Sequence, residues 1–177
     1  MPSPALSHSL IADGRGHFDR GEFSAARRAF AAATDQAPGS AEALARLAET
    51  CGALGDWPAA MESWRRVLQL RPGLAVAQTG LAVALRAQGR IPEALAAFQR
   101  AVETNPGLPE VHFNLGTCLL GCNRPQEAVA RFRAAQALDP KSGDIRYNLA
   151  LALLKSGAFK TGALAYEARW QSEWRGK

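Results

Sequence analysis

The sequence predicts an all-α solenoid of five stacked helix-turn-helix hairpins, and three observations carry that prediction. Proline recurs at Pro38, Pro72, Pro106 and Pro140, every 34 residues, with glycine after the first three. A large aromatic stands eight residues before each, at Phe30, Trp64, Phe98 and Phe132, and Tyr166 continues the series. A turn column of Gly21, Gly55, Gly89, Asn123 and Gly157 keeps the same phase. A period of this length marks supersecondary units that cannot bury their apolar faces alone and must stack to do so.

Each element follows from the pattern within one period. In residues 109–122, Val111, Leu115, Cys118, Leu119 and Cys122 form one helical stripe, which predicts the first helix of a hairpin. Asn123 then takes the turn position, where Asn or Gly accepts the left-handed conformation that ends a helix. Pro125 opens the second helix, as Pro58 and Pro92 open its equivalents, because the missing N–H costs nothing there. Ala128, Phe132 and Ala135 are its buried stripe, and Pro140 stops it. Two small columns let the helix axes approach while the aromatic fills the wedge toward the next pair. They are Gly14, Ala48, Ala82, Gly116 and Ala150, and Ala26, Ala60, Ala94, Ala128 and Gly162.

The run Leu115-Gly116, Leu119, Asn123, Ala128, Phe132, Ala135, Pro140 resembles the tetratricopeptide repeat. The resemblance divides the chain into a tail at 1–6 and repeats at 7–40, 41–74, 75–108, 109–142 and 143–176. The last is degenerate or a cap: Gly162 replaces alanine, Arg169 a small apolar residue, and Trp174 the proline. The family implies a right-handed solenoid that holds a protein or extended peptide in a groove lined by the first helix of each repeat. It implies no chemistry of its own and no cofactor.

Carried onto this sequence, the resemblance makes Arg15, Phe18, Arg46, Glu49 and Arg86 partner-binding candidates in the first three repeats. In the last two they are Glu110, Phe113, Asn114, Thr117, Asp144, Tyr147 and Asn148. The aromatic-Asn pair repeats at the 34-residue period, and an asparagine amide can both donate to and accept from an extended backbone. The clamp by which some family members hold an acidic C-terminus maps onto Ile11, Arg15, Arg46, Val76 and Gly80. Only its two arginines have the right chemistry, so that clamp is not expected.

Other classes are excluded on simple grounds. The net charge is +5, with 21 basic and 16 acidic residues spread along the chain. No basic cluster or nucleic-acid-binding motif occurs, so a nucleic-acid partner is not expected. No stretch approaches the ~18 apolar residues of a membrane span. Three cysteines and the absence of a signal-like start point to a cytoplasmic protein. No catalytic string is present, and His8, His17 and His112 show no metal-ligand spacing with the cysteines. His17 shares a column with Cys51, Leu85, Leu119 and Leu153, which predicts a packing role.

Tyr166, Trp170 and Trp174 form one stripe on the last helix, with only Arg175, Gly176 and Lys177 after it. They mark either a self-association surface, as in a homo-oligomeric assembly protein, or a seam to another domain. The string around Tyr166-Glu167 is similar to the last repeat of bacterial arrays that precede a glycosyltransferase-like domain. A substrate-presenting module of an O-linked N-acetylglucosamine transferase-like enzyme is therefore the alternative to a scaffold.

Overall fold

The structure, a computed structural model, describes the backbone over residues 4–174 and the side chains over residues 5–167. Ten α-helices and no strand occur among the described residues. They are α1 (Pro4–Asp19), α2 (Phe23–Gln36), α3 (Ala41–Ala53), α4 (Trp57–Leu70), α5 (Ala75–Ala87), α6 (Ile91–Thr104), α7 (Pro109–Gly121), α8 (Pro125–Leu138), α9 (Gly143–Lys155) and α10 (Phe159–Trp174). Odd-numbered helices are the first of each hairpin and even-numbered ones the second. The chain divides into two compact units, 1–97 and 98–177, with the division inside α6.

Local chemistry sets the helix ends. Gly21, Gly55, Gly89, Asn123 and Gly157 adopt φ of +74°, +74°, +72°, +57° and +86°, the left-handed turn the column requires. At the starts, Ser40 Oγ accepts from Ala43 N at 3.2 Å, Asp56 Oδ1 from Ala59 N at 3.2 Å and Ser142 Oγ from Ile145 N at 3.3 Å. Each satisfies an N–H that the first turn leaves without a partner.

In the N-terminal unit, Phe30 on α2 is fully buried and packs with Ile11 of α1 and Ala43 of α3. Trp64 on α4 sits equivalently with Leu44 and Ala48 of α3 and Ala77 of α5. The small columns are under real steric pressure: a Cβ on Gly14 would lie 2.7 Å from the Phe30 ring. In the C-terminal unit, one on Gly116 would lie 2.9 Å from Phe132. Gly162 departs from the alanine of its column for the same reason, since a Cβ there would meet Leu154 N at 2.9 Å. Trp64 makes a demand the repeat pattern does not contain. Its indole lies over α5, and a Cβ on Gly80 would sit 2.3 Å from it.

Two expectations are corrected. Helix α1 starts at Pro4, inside the segment read as a tail at 1–6. The additional turn is tied down by Ser7, whose buried Oγ donates to Ala33 O on α2 at 3.1 Å. His17 is not a packing residue. Its Nδ1 lies 2.5 Å from Glu22 Oε2 and its Nε2 lies 3.6 Å from Asp13, while Arg20 Nε donates to Glu22 Oε1 at 3.1 Å.

Hydrogen bonds from Arg20, then from His17, hold the Glu22 carboxyl at about 2, below its ordinary 4.5. A depressed carboxylate stabilises the fold above its unfolded value and loses that contribution as pH falls toward the folded one. Glu22→Gln is therefore expected to flatten the decline of the melting temperature between pH 5 and about pH 2 relative to wild type. Parallel curves would remove Glu22 from the acid response.

Candidate functional site

The candidate residues lie on the first helices, and the C-terminal unit gathers several of theirs around one hollow. Pro109, Glu110 and Phe113 come from α7, Asp139 and Ser142 from the connection, and Asp144 and Ile145 from α9. Together they enclose about 140 Å³. The connection is fixed from within, because Asp139 Oδ1 accepts from Lys141 N at 3.1 Å and Ser142 N at 3.2 Å. Glu110 and Asp144 occupy the first turns of α7 and α9, where the helix dipole favours negative charge. Both are exposed, and neither makes an ion pair among the described residues.

Phe113 forms the apolar wall. Its ring is half-buried and tilted against Phe132 at 5.8 Å, so the core orients it. Tyr147 repeats this arrangement on Tyr166 at 6.0 Å. The hollow thus offers an aromatic face beside carboxylates, a combination suited to a cationic group.

The predicted asparagine column is less uniform than its sequence. Asn148 Nδ2 donates to Asp144 O on its own helix at 2.9 Å, while Asn114 is half-buried. Thr117 Oγ1 likewise donates to Phe113 O at 2.9 Å.

In the N-terminal unit the candidates are dispersed. Arg46 Nη1 donates to Glu49 Oε2 at 2.9 Å, so the two largely answer each other. Phe18 stacks edge-on against Phe23 at 5.2 Å, at the hairpin turn. Arg15 is exposed and Arg86 half-buried. A second hollow, of about 280 Å³, lies among Glu49, Trp57, Trp64, Gly80 and Val83 and is chiefly apolar.

Sequence reasoning missed one periodic contact. Gln78 Nε2 donates to Pro72 O at 2.9 Å, and His112, one period later, bonds Pro106 O through Nε2 at 2.9 Å. A carbonyl only accepts, so the His112 proton lies on Nε2. The signal was a donor in the same column, six residues after the proline.

Cys51 and Cys118 are buried, Cys122 is half-buried at the end of α7, and none of the three forms a disulfide. Burial raises the Cys51 thiol above its ordinary value, with the nearby Asp56 charge adding to it. No group of three or more His, Cys, Asp or Glu among the described residues is placed to hold a metal ion. No described helix is long and apolar enough to cross a membrane. Of the C-terminal stripe, Tyr166 is partly exposed, while the side chains of Trp170 and Trp174 lie outside the described residues.

Comparison with solved structures gives the fold. MamA from Desulfovibrio magneticus RS-1 superposes with a TM-score of 0.83 at 19% identity, covering 96% of each chain. A thermophilic TPR protein of Thermus thermophilus gives 0.76 at 24% identity, over 93% of this chain and 90% of that one. PilF of Pseudomonas aeruginosa gives 0.83 at 24% identity, over 94% and 76%. No curated protein sequence matches the chain. A family model for the tetratricopeptide repeat matches residues 11–75, 52–109, 79–121 and 113–176. With hairpins, turns and fold in agreement, the chain belongs to the tetratricopeptide-repeat family, the all-α helical solenoids.

Proposed function

We propose that the chain is a non-enzymatic scaffold that binds a protein or extended peptide across its first helices, in repeats bounded as the sequence divides them. The observation that carries this is the hollow between α7 and α9, where Glu110 and Asp144, which make no ion pair among the described residues, stand beside an aromatic wall oriented by the core. The ligand it suits is a segment with lysine or arginine next to an apolar residue. The cation meets Glu110 and Asp144, and the aliphatic stem lies on Phe113. Three cysteines that form no disulfide fit work in the reducing cytoplasm.

Selection of a random 12-residue peptide library on the full chain tests the reading. Enrichment of basic-apolar segments is the expected outcome. For a selected peptide, Glu110→Gln with Asp144→Asn is expected to weaken binding about tenfold, the loss of two exposed ion pairs of up to about 1 kcal/mol each. Raised salt should weaken it as well. An unchanged affinity in the double variant would contradict the assignment.

A further inference from the structure

The aromatic column is covered in four repeats and uncovered in one. Phe30, Trp64, Phe98 and Phe132 are 0%, 5%, 0% and 0% exposed, whereas Tyr166 is 39% exposed. In the N-terminal unit the cover is the first helix of the next hairpin. Ala43 and Leu47 of α3 pack in the cluster of Phe30, and Ala77 and Leu81 of α5 in that of Trp64. In the C-terminal unit α9 packs on α8 in the same order, but α10 meets only α9 among the described helices. Phe159, seven residues before Tyr166 and on its side of α10, is 69% exposed.

We propose that this face of α10 seats an amphipathic helix of a partner protein, continuing the interface that α3 makes on α2 and α5 on α4. Those interfaces define the chemistry of the occupant. It carries a small apolar residue opposite the aromatic ring and a leucine four residues later, as Ala43 with Leu47 and Ala77 with Leu81 do. A second copy of the chain fits poorly in either orientation. Its α1 presents Ser9 and Asp13 in those two columns, both exposed, and would bury a carboxylate against Tyr166. Its α10 would set large side chains against Tyr166, where α3 and α5 set Ala43 and Ala77 against the ring. The seat is separate from the hollow between α7 and α9 and does not rest on the peptide reading.

The probe is a fluorescein-labelled peptide of residues 40–54, stapled between positions 42 and 46 to hold it helical and titrated with the full chain. Saturable polarisation is expected. Leu47→Asp in the peptide, copying Asp13, and Phe159→Glu in the protein are each expected to weaken it at least tenfold. Leu164→Arg is expected to leave it unchanged, because that column already holds exposed Arg28 and Glu62. Glutamate suits a first helical turn, and a far-UV circular dichroism spectrum identical to wild type will show that Phe159→Glu folds. Three results would each overturn the proposal: no saturable binding, binding indifferent to Phe159→Glu, or a wild-type dimer by light scattering that Phe159→Glu dissolves. The last would give the face to a second copy.

Discussion

Gly80→Asn is expected to destabilise the chain by about 2–3 kcal/mol, and adding Trp64→Phe is expected to recover most of that loss. The hypothetical Cβ at Gly80 lies 2.3 Å from Trp64 Cε2, far inside contact distance, and the indole is 5% exposed in a packed cluster. Overpacking of this kind costs about 1–3 kcal/mol and sometimes more, against a helix-propensity gain over glycine of only a few tenths. The other repeats supply the remedy. Phe30 is followed sixteen residues later by Arg46, and Phe132 by Asn148, so phenylalanine leaves room for a side chain where tryptophan does not. Urea titrations of the two single variants and the double variant form a cycle with an expected coupling of about 1–3 kcal/mol. Additive losses would mean that Trp64 and Gly80 do not share the space.

Phe132→Ala should be the more damaging change, at about 3–5 kcal/mol. Phe132 is fully buried, its ring meets Gly116 across the hairpin, and Phe113 leans on it. Truncation leaves a cavity that Gly116 has no side chain to fill. In a repeat array each hairpin is stabilised chiefly by its neighbours, so hydrogen exchange should rise across α7, α8 and α9 together. The same variant should weaken peptide binding, because Phe113 loses the ring that orients it. A loss under 1 kcal/mol by urea titration would contradict the packing argument.

Much of this architecture is legible in the chain. The 34-residue period, the left-handed turn column and the helix starts depend on backbone chemistry, which residue type announces directly. Asn123 among glycines shows it best, since only a residue tolerant of φ near +57° serves there. The pairing of Trp64 with Gly80 was also present, but it emerges only when columns are compared for size rather than for polarity.

What sequence did not convey is where side chains turn once a helix ends or a neighbour competes. His17 sits in an apolar column, yet Glu22 across the turn draws its ring into an exposed polar cluster. Asn148 repeats Asn114 in sequence, but the Asp144 carbonyl four residues earlier takes one of its donors. The hollow between α7 and α9 needs Asp139 and Ser142 from the connection, which helical periodicity does not address. Phe18 reads as a binding aromatic until Phe23 closes on it.

If the first helices hold the ligand, amide chemical-shift mapping of the full chain with a selected basic peptide will locate it there. Saturable shifts are expected at Glu110, Phe113, Asn114, Asp144 and Tyr147, largely absent in the Glu110→Gln, Asp144→Asn variant. Shifts centred on the second helices α8 and α10, with α7 and α9 unmoved, would contradict it.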